Sequence, residues 1–124
     1  SRSVTVSALQ GYEKAFGGIE VDTGDALSEL VIMQRAVKSA DELLPMREAQ
    51  RIADEAFLHI LNHVESGRSE REIAVELELF CRKNGADGMS FATIVASGPN
   101  SSRPHAVPGE RVIQSGDFVT MDFG

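Results

Sequence analysis

An α+β domain is predicted by three features of this 124-residue chain. Helix-start signals followed by apolar residues at helical spacing dominate up to Gly88. After Gly88 come short β-type runs separated by Pro- and Gly-rich turns. The 42% apolar content is enough to fill a core in a chain of ordinary domain length.

In chain order, residues 3–16 read as a short helix closed by Gly17-Gly18, with Val6, Leu9 and Ala15 among polar neighbours. Ile19 to Asp22 is a short extended piece that Gly24 breaks, and a second helix starts near Ala26, rich in Leu27, Leu30, Val31, Ile32 and Met33. Ser39 with Glu42, and Ser69 with Glu72, match the capping box, in which hydroxyl and carboxylate each satisfy a free backbone N–H. The first box opens a long helix whose apolar positions recur from Ile52 through Ala56 and Ile60 to Val64, with Gly67 as its stop. Pro45 lies inside it and, lacking an N–H, is expected to kink it or delay its regular start. The second box opens a helix with Ile73, Ala74, Leu77, Phe80 and Cys81 on one face, ended by Asn84-Gly85. Phe91 to Ser97 is then a strand, and the segment GPNSSRPHAVPGE a loop holding three of the four prolines. Val112-Ile113 is extended, Gly116-Asp117 turns, and Phe118 to Phe123 is a strand. Alternation places Thr120 and Asp122 on one face of it and Val119, Met121 and Phe123 on the other.

Lys and Arg total 12 against 19 for Asp and Glu, a net charge of −7. A nucleic-acid backbone or an anionic membrane needs a basic surface, so neither is the expected partner. No basic start is followed by an apolar run, and no stretch is long enough for a bilayer. Cys81 is the only cysteine, so no intrachain disulfide forms; it falls at an apolar helix position as a small buried hydrophobe. A reducing cytoplasm is the expected location.

Four positions invite chemistry. The closing DFG at 122–124 resembles the magnesium-holding triplet of kinases, but no phosphate-covering glycine loop, VAIK-like strand or HRD loop precedes it. His59 and His63 are one helical turn apart; the zinc-protease pattern needs a glutamate after the first histidine, and Ile60 stands there, so they read as partly exposed helix histidines. His105 lies in the proline-stiffened loop, as a chemical group or as a plain exposed histidine. Asp122, among Val119, Met121 and Phe123, is costly to bury unless a metal ion, a basic partner or exposure at an edge relieves it.

The pair SFATIVASGPNSSRPHAVP and GDFVTMDFG resembles the first half of the pita-bread fold of the Xaa-Pro peptidases, the prolidase and aminopeptidase P group. Upstream, RAVKSADELLPMREAQRIADEAF is similar to the passage into that family's catalytic domain, with Arg35, Lys38, Ser39 and Glu42 at matching positions. The resemblance implies residues 1–27 as the end of a creatinase-like N-terminal domain with its linker, and 28–124 as half of a pita-bread (creatinase/aminopeptidase-like) catalytic domain, helices on an antiparallel sheet. It implies Asp122 as the first carboxylate ligand of a two-metal site and His105 as the loop histidine that contacts substrate. Two divalent cations, manganese by the hardness of oxygen ligands, would hold a hydroxide and polarise the carbonyl preceding proline. The implied partner is a proline-containing peptide, and the implied assembly a homodimer.

The family's second aspartate, further histidine and two glutamates would all follow the first ligand, and none stands in this sequence. One carboxylate does not hold two metals, so the chain alone is expected to bind none stably and to be inactive. A creatinase-like metal-free hydrolase and a non-catalytic pita-bread peptide-binding module stay open. A methionine aminopeptidase fits the SGPNSSRPHAVP loop less well.

Overall fold

A computed structural model describes residues 4–18, 22 and 24–124. They divide into two compact units, the first ending at Ala40 and the second running Asp41–Gly124. Ile19 to Val21, the bulk of the extended piece read before Gly24, lie outside the described residues.

The first unit holds α1 (Val6–Ala15) and α2 (Ala26–Ala36). Thr5 caps α1 by accepting the Ala8 amide on its hydroxyl at 3.2 Å, which satisfies one of the free N–H groups of the first turn. On α2 the apolar residues Leu27, Leu30, Ile32 and Met33 are all exposed.

The second unit is α+β: α3 (Ala40–Ile60), α4 (Glu70–Lys83), β1 (Ile94–Ser97), a 3-10 turn over Gly98–Ser102, and β2 (Val119–Asp122). Ser39 and Glu42 stand at the cap and third positions of α3. The helix starts ahead of Pro45 and runs through it, so the proline does not delay it; its missing N–H leaves the Asp41 carbonyl without an intrahelical donor. The helix stops at Ile60, earlier than the Gly67 stop the apolar pattern predicts. There Asn62 N–H donates to His59 and His63 N–H to Ile60, i→i−3 bonds that tighten the chain out of the α-helix.

Both ends of α4 form as the sequence predicts. Ser69 Oγ accepts the Glu72 amide at 3.2 Å while Glu72 Oε2 accepts the Ser69 amide at 2.7 Å. At the other end Gly85, with φ of 106°, donates to Arg82, and Ala86 donates to Cys81 at 3.0 Å, the paired bonds of a Schellman ending.

β1 and β2 are antiparallel with Ile94 opposite Asp122 and Ser97 opposite Val119. Both strands are shorter than the runs that predict them: Phe91 to Thr93, Phe118 and Phe123 fall outside. Residues 68–69 pair instead with 112–113, through Ile113 N–H to the Arg68 carbonyl and the Ser69–Val112 bridge. The core joins Ile52, Ala56 and Ile60 of α3, Ile73, Leu77 and Cys81 of α4, Val95 and Ile113. Ile60, Ile73, Leu77 and Val95 are fully buried, each contributing roughly 1.5–3 kcal/mol. Burial also pushes the Cys81 thiol pKa up, which keeps it an inert apolar filler. Among the described residues no helix is long and apolar enough to cross a membrane.

Candidate functional site

Asp122 is positioned by the pleat of β2. Val119, Met121 and the following Phe123 pack against the core, while Thr120 and Asp122 stand exposed on the other face. The carboxylate predicted to be expensive on a buried strand therefore keeps its water, because the strand is buried on one side only. Ser90 holds the chain just beyond it, its amide donating to the Gly124 carbonyl at 2.7 Å and its hydroxyl to the same oxygen at 2.9 Å.

His105 sits in a turn over Arg103–Ala106, closed by Ala106 N–H to the Arg103 carbonyl at 3.3 Å, with Pro104 setting the φ its position requires. The side chain is exposed. The loop around it is braced at short range by Ser101 Oγ to the Gly98 carbonyl (2.6 Å) and Ser102 Oγ to the Pro99 carbonyl (3.1 Å). Thr120, which shares its face with Asp122, donates from its hydroxyl to the Ser101 carbonyl at 3.3 Å. The His105 loop is thereby fastened to the face of β2 that displays Asp122. Among the described residues no hydrogen bond joins His105 to Asp122, and neither belongs to a cluster of three metal-capable side chains.

The sequence reading missed Glu70, the residue that holds this loop. Glu70 opens α4 and is 1% exposed. Its Oε1 accepts the Ser97 amide (2.7 Å), the Ser97 hydroxyl (2.9 Å) and Asn100 Nδ2 (3.0 Å); its Oε2 accepts the Gly109 amide (3.2 Å). Burial pushes this carboxyl pKa up, but the bonds from Asn100, Ser97 and Gly109 outweigh it and hold it below the usual range. One carboxylate thus ties both ends of the 98–109 segment. The only local signal was a second acidic residue beside Ser69, which capping statistics alone explain.

Arg111 and Asp117 form the outer brace, with Nη1–Oδ2 at 2.7 Å, and Asp117 also accepts the Gln114 amide at 2.9 Å. Arg111 lowers the Asp117 pKa, and the Gln114 bond adds to it. Gly98 has φ of 49°, and a Cβ there would meet Arg111 Nη2 at 2.5 Å and Asp117 Oδ1 at 2.6 Å, so a larger residue would have to displace this brace.

The two histidines are partly exposed, as the sequence predicts, but only His59 is helical. His59 lies in the last turn of α3 and His63 past its end; both are part-buried and meet Glu76 of α4. Glu76 was not singled out from sequence.

Residues 45–124 match the family model "Metallopeptidase family M24". The chain is 49% identical over 122 residues to the uncharacterised peptidase YqhT of Bacillus subtilis, covering 98% of this chain and 34% of that protein. It is 35% identical over 98 residues to an Xaa-Pro dipeptidase of Pyrococcus horikoshii, covering 79% and 28%. Among solved structures, an Xaa-Pro dipeptidase from Bacillus anthracis superposes with a TM-score of 0.82 at 42% identity, over 99% of this chain and 34% of that one. The prolidase from Pyrococcus furiosus gives 0.86 at 29% identity, over 98% and 37%. The α+β arrangement is that of the pita-bread prolidases, and the chain spans about a third of the length of the curated relatives it matches. By the match over its second unit and by these identities, the chain belongs to metallopeptidase family M24.

Proposed function

We propose that this chain is the first half of the catalytic domain of an Xaa-Pro peptidase. Residues 1–27 would end a preceding domain and its linker, and 28–124 would form the catalytic half. The observation that carries this reading is Asp122, an exposed carboxylate on a half-buried strand, beside a loop that Glu70 and Thr120 hold in place. The names borne by relatives, Xaa-Pro dipeptidase and prolidase, supply the substrate class: a peptide whose scissile bond precedes proline.

In this reading Asp122 is one hard oxygen ligand of a pair of divalent ions, manganese by preference, and its exposed carboxylate suits that role. Such ions, when bound, supply a hydroxide and polarise the carbonyl under attack. One carboxylate does not hold two ions, so the chain alone should hold no such pair and should be inactive. His105 binds the substrate and donates a hydrogen bond toward the oxygen on which charge develops. The reading includes a cytoplasmic enzyme that works as a homodimer.

The test uses the full-length protein with Asp122→Asn and His105→Ala, measuring bound metal and proline release. Asp122→Asn should lose metal and turnover together. His105→Ala should keep its metal while turnover falls by about a hundredfold or more. Retention of metal and activity by Asp122→Asn would overturn the metallopeptidase reading, and loss of metal in His105→Ala would make the histidine a ligand or its support.

A further inference from the structure

His59, His63 and Glu76 come from two elements that meet at the end of α3. One nitrogen of each ring and one carboxylate oxygen lie within 4.8 Å of one another. His59 Nε2 is 2.7 Å from Glu76 Oε1, and His63 Nε2 is 3.9 Å from the same oxygen. The three side chains are 26%, 33% and 28% exposed, reachable from solvent yet partly desolvated.

The state of the His63 ring follows from its other nitrogen. Nδ1 lies 2.9 Å from the His59 carbonyl, which only accepts, so Nδ1 carries the hydrogen. In the neutral ring Nε2 then keeps its lone pair, and that lone pair faces the neighbourhood of Glu76 Oε1. Two electron-rich atoms share one small space with His59, an arrangement that a cation relieves. A backbone carbonyl that fixes the distal N–H is also the usual outer partner of a metal-bound imidazole. The His59 ring is held by its own neighbours, with Phe80 stacked at 4.3 Å and the His63 ring at 4.2 Å.

We propose that His59, His63 and Glu76 form a metal site, distinct from Asp122, that takes a divalent zinc-class ion and clips the end of α3 to α4. Two imidazoles with one carboxylate favour zinc over manganese or magnesium, which prefer oxygen sets. Metal–ligand bonds of about 2.1 Å at tetrahedral angles need ligand atoms about 3.4 Å apart, between the two distances to Glu76 found here. Small rotations of the Glu76 carboxylate and of the two rings bring the three atoms toward that spacing. Binding displaces the hydrogen shared between His59 Nε2 and Glu76, which leaves to solvent or moves to Nδ1 and frees Nε2 to ligate. Water completes the coordination on the exposed side.

The test is a titration of the metal-stripped chain with Zn2+, following the ring C–H resonances of its three histidines. With one equivalent, His59 and His63 should shift together while His105 stays in place. His63→Ala and Glu76→Gln should each weaken binding by more than the roughly 10–100-fold that follows loss of an outer partner. Asp122→Asn should leave the titration unchanged, and Mn2+ should bind far more weakly than Zn2+. Rings that do not respond to Zn2+, a response confined to His105, or affinity unchanged in both variants would overturn the proposal. The resonances of the unmodified chain decide this even if a variant fails to fold.

Discussion

The two oxygens of Glu70 accept from Ser97, Asn100 and Gly109, groups separated by up to twelve positions along the chain, and so replace a length of loop entropy with one buried side chain. Glu70→Ala would leave the Ser97 and Gly109 amides and the Asn100 amide group without that acceptor. A buried donor left unpaired costs about 1–3 kcal/mol, which applies in full to Ser97 and only in part to the half-buried Asn100 and Gly109, so the expected loss is about 2 kcal/mol or more, read as a lower denaturation midpoint in urea. Glu70→Gln is the sharper variant, since it keeps the volume but turns two acceptors into one acceptor and an NH2 that faces donors. The pKa direction adds a pH signature. Because the folded state holds this carboxyl below its ordinary value, its contribution is full above the unfolded pKa, about 4.3, and is lost as pH falls through the lower folded value. Glu72, Glu76 and Asp117 shift the same way for their own partners, so the native chain should lose stability steeply in acid. Glu70→Gln should flatten that loss by removing one of the titrating groups. An acid slope equal to that of the unmodified chain would show that Glu70 is not held in its charged form.

At the scale of elements, α4 was legible because its signals are local. Ser69 and Glu72 lie three apart, and Gly85 follows the last polar residue, so each end is specified within one turn of chain. Gly85→Ala forces a Cβ onto a backbone with φ of 106° and should cost about 1 kcal/mol. Ser69→Ala removes the acceptor of the Glu72 amide and should cost a similar amount, about 1 kcal/mol. Both are read as midpoint shifts, and because the two caps share no partner their costs should add. A Gly85→Ala chain as stable as the parent would mean the ending relaxes to another conformation. The end of α3 was not legible, for a different reason. Val64 still packs on the core after the helix has ended, so apolar spacing continues past the stop. Past its local i→i−3 ending the chain is held non-locally: Gly67 donates to the Ile113 carbonyl, and Ile113 to Arg68, pairing it with a segment far downstream. No window of sequence contains both partners. The strands shortened for the same reason, since only the residues opposite a partner are paired.

For the molecule as a whole, the residues proposed to carry chemistry break local sequence patterns, and those that hold their surroundings do not. Asp122 and His105 stand out because a carboxylate in an apolar run and a histidine between prolines break local patterns. Glu70 and Glu76 look like ordinary helix glutamates, and their partners are 13 to 39 positions away. The same large scale governs association. Leu27, Leu30 and Met33 of α2 are 74%, 68% and 67% exposed, and Phe118 is 85% exposed, far more apolar surface than isolated exposed residues require. The net charge of −7 opposes contact between copies by repulsion that salt screens over about 10 Å at 0.1 M. The chain should therefore self-associate with rising concentration, and added salt should strengthen that association rather than dissolve it. Sedimentation at low and high salt measures this, with Leu30→Ser and Phe118→Ser made separately to show which unit supplies the contact. If the apolar surface drives the contact, one of these variants should shift the equilibrium toward monomer at both salt levels. Association that salt weakens would assign the contact to ion pairs instead, and a single monomeric species over the whole concentration range would show that this exposed apolar surface drives no association of the chain.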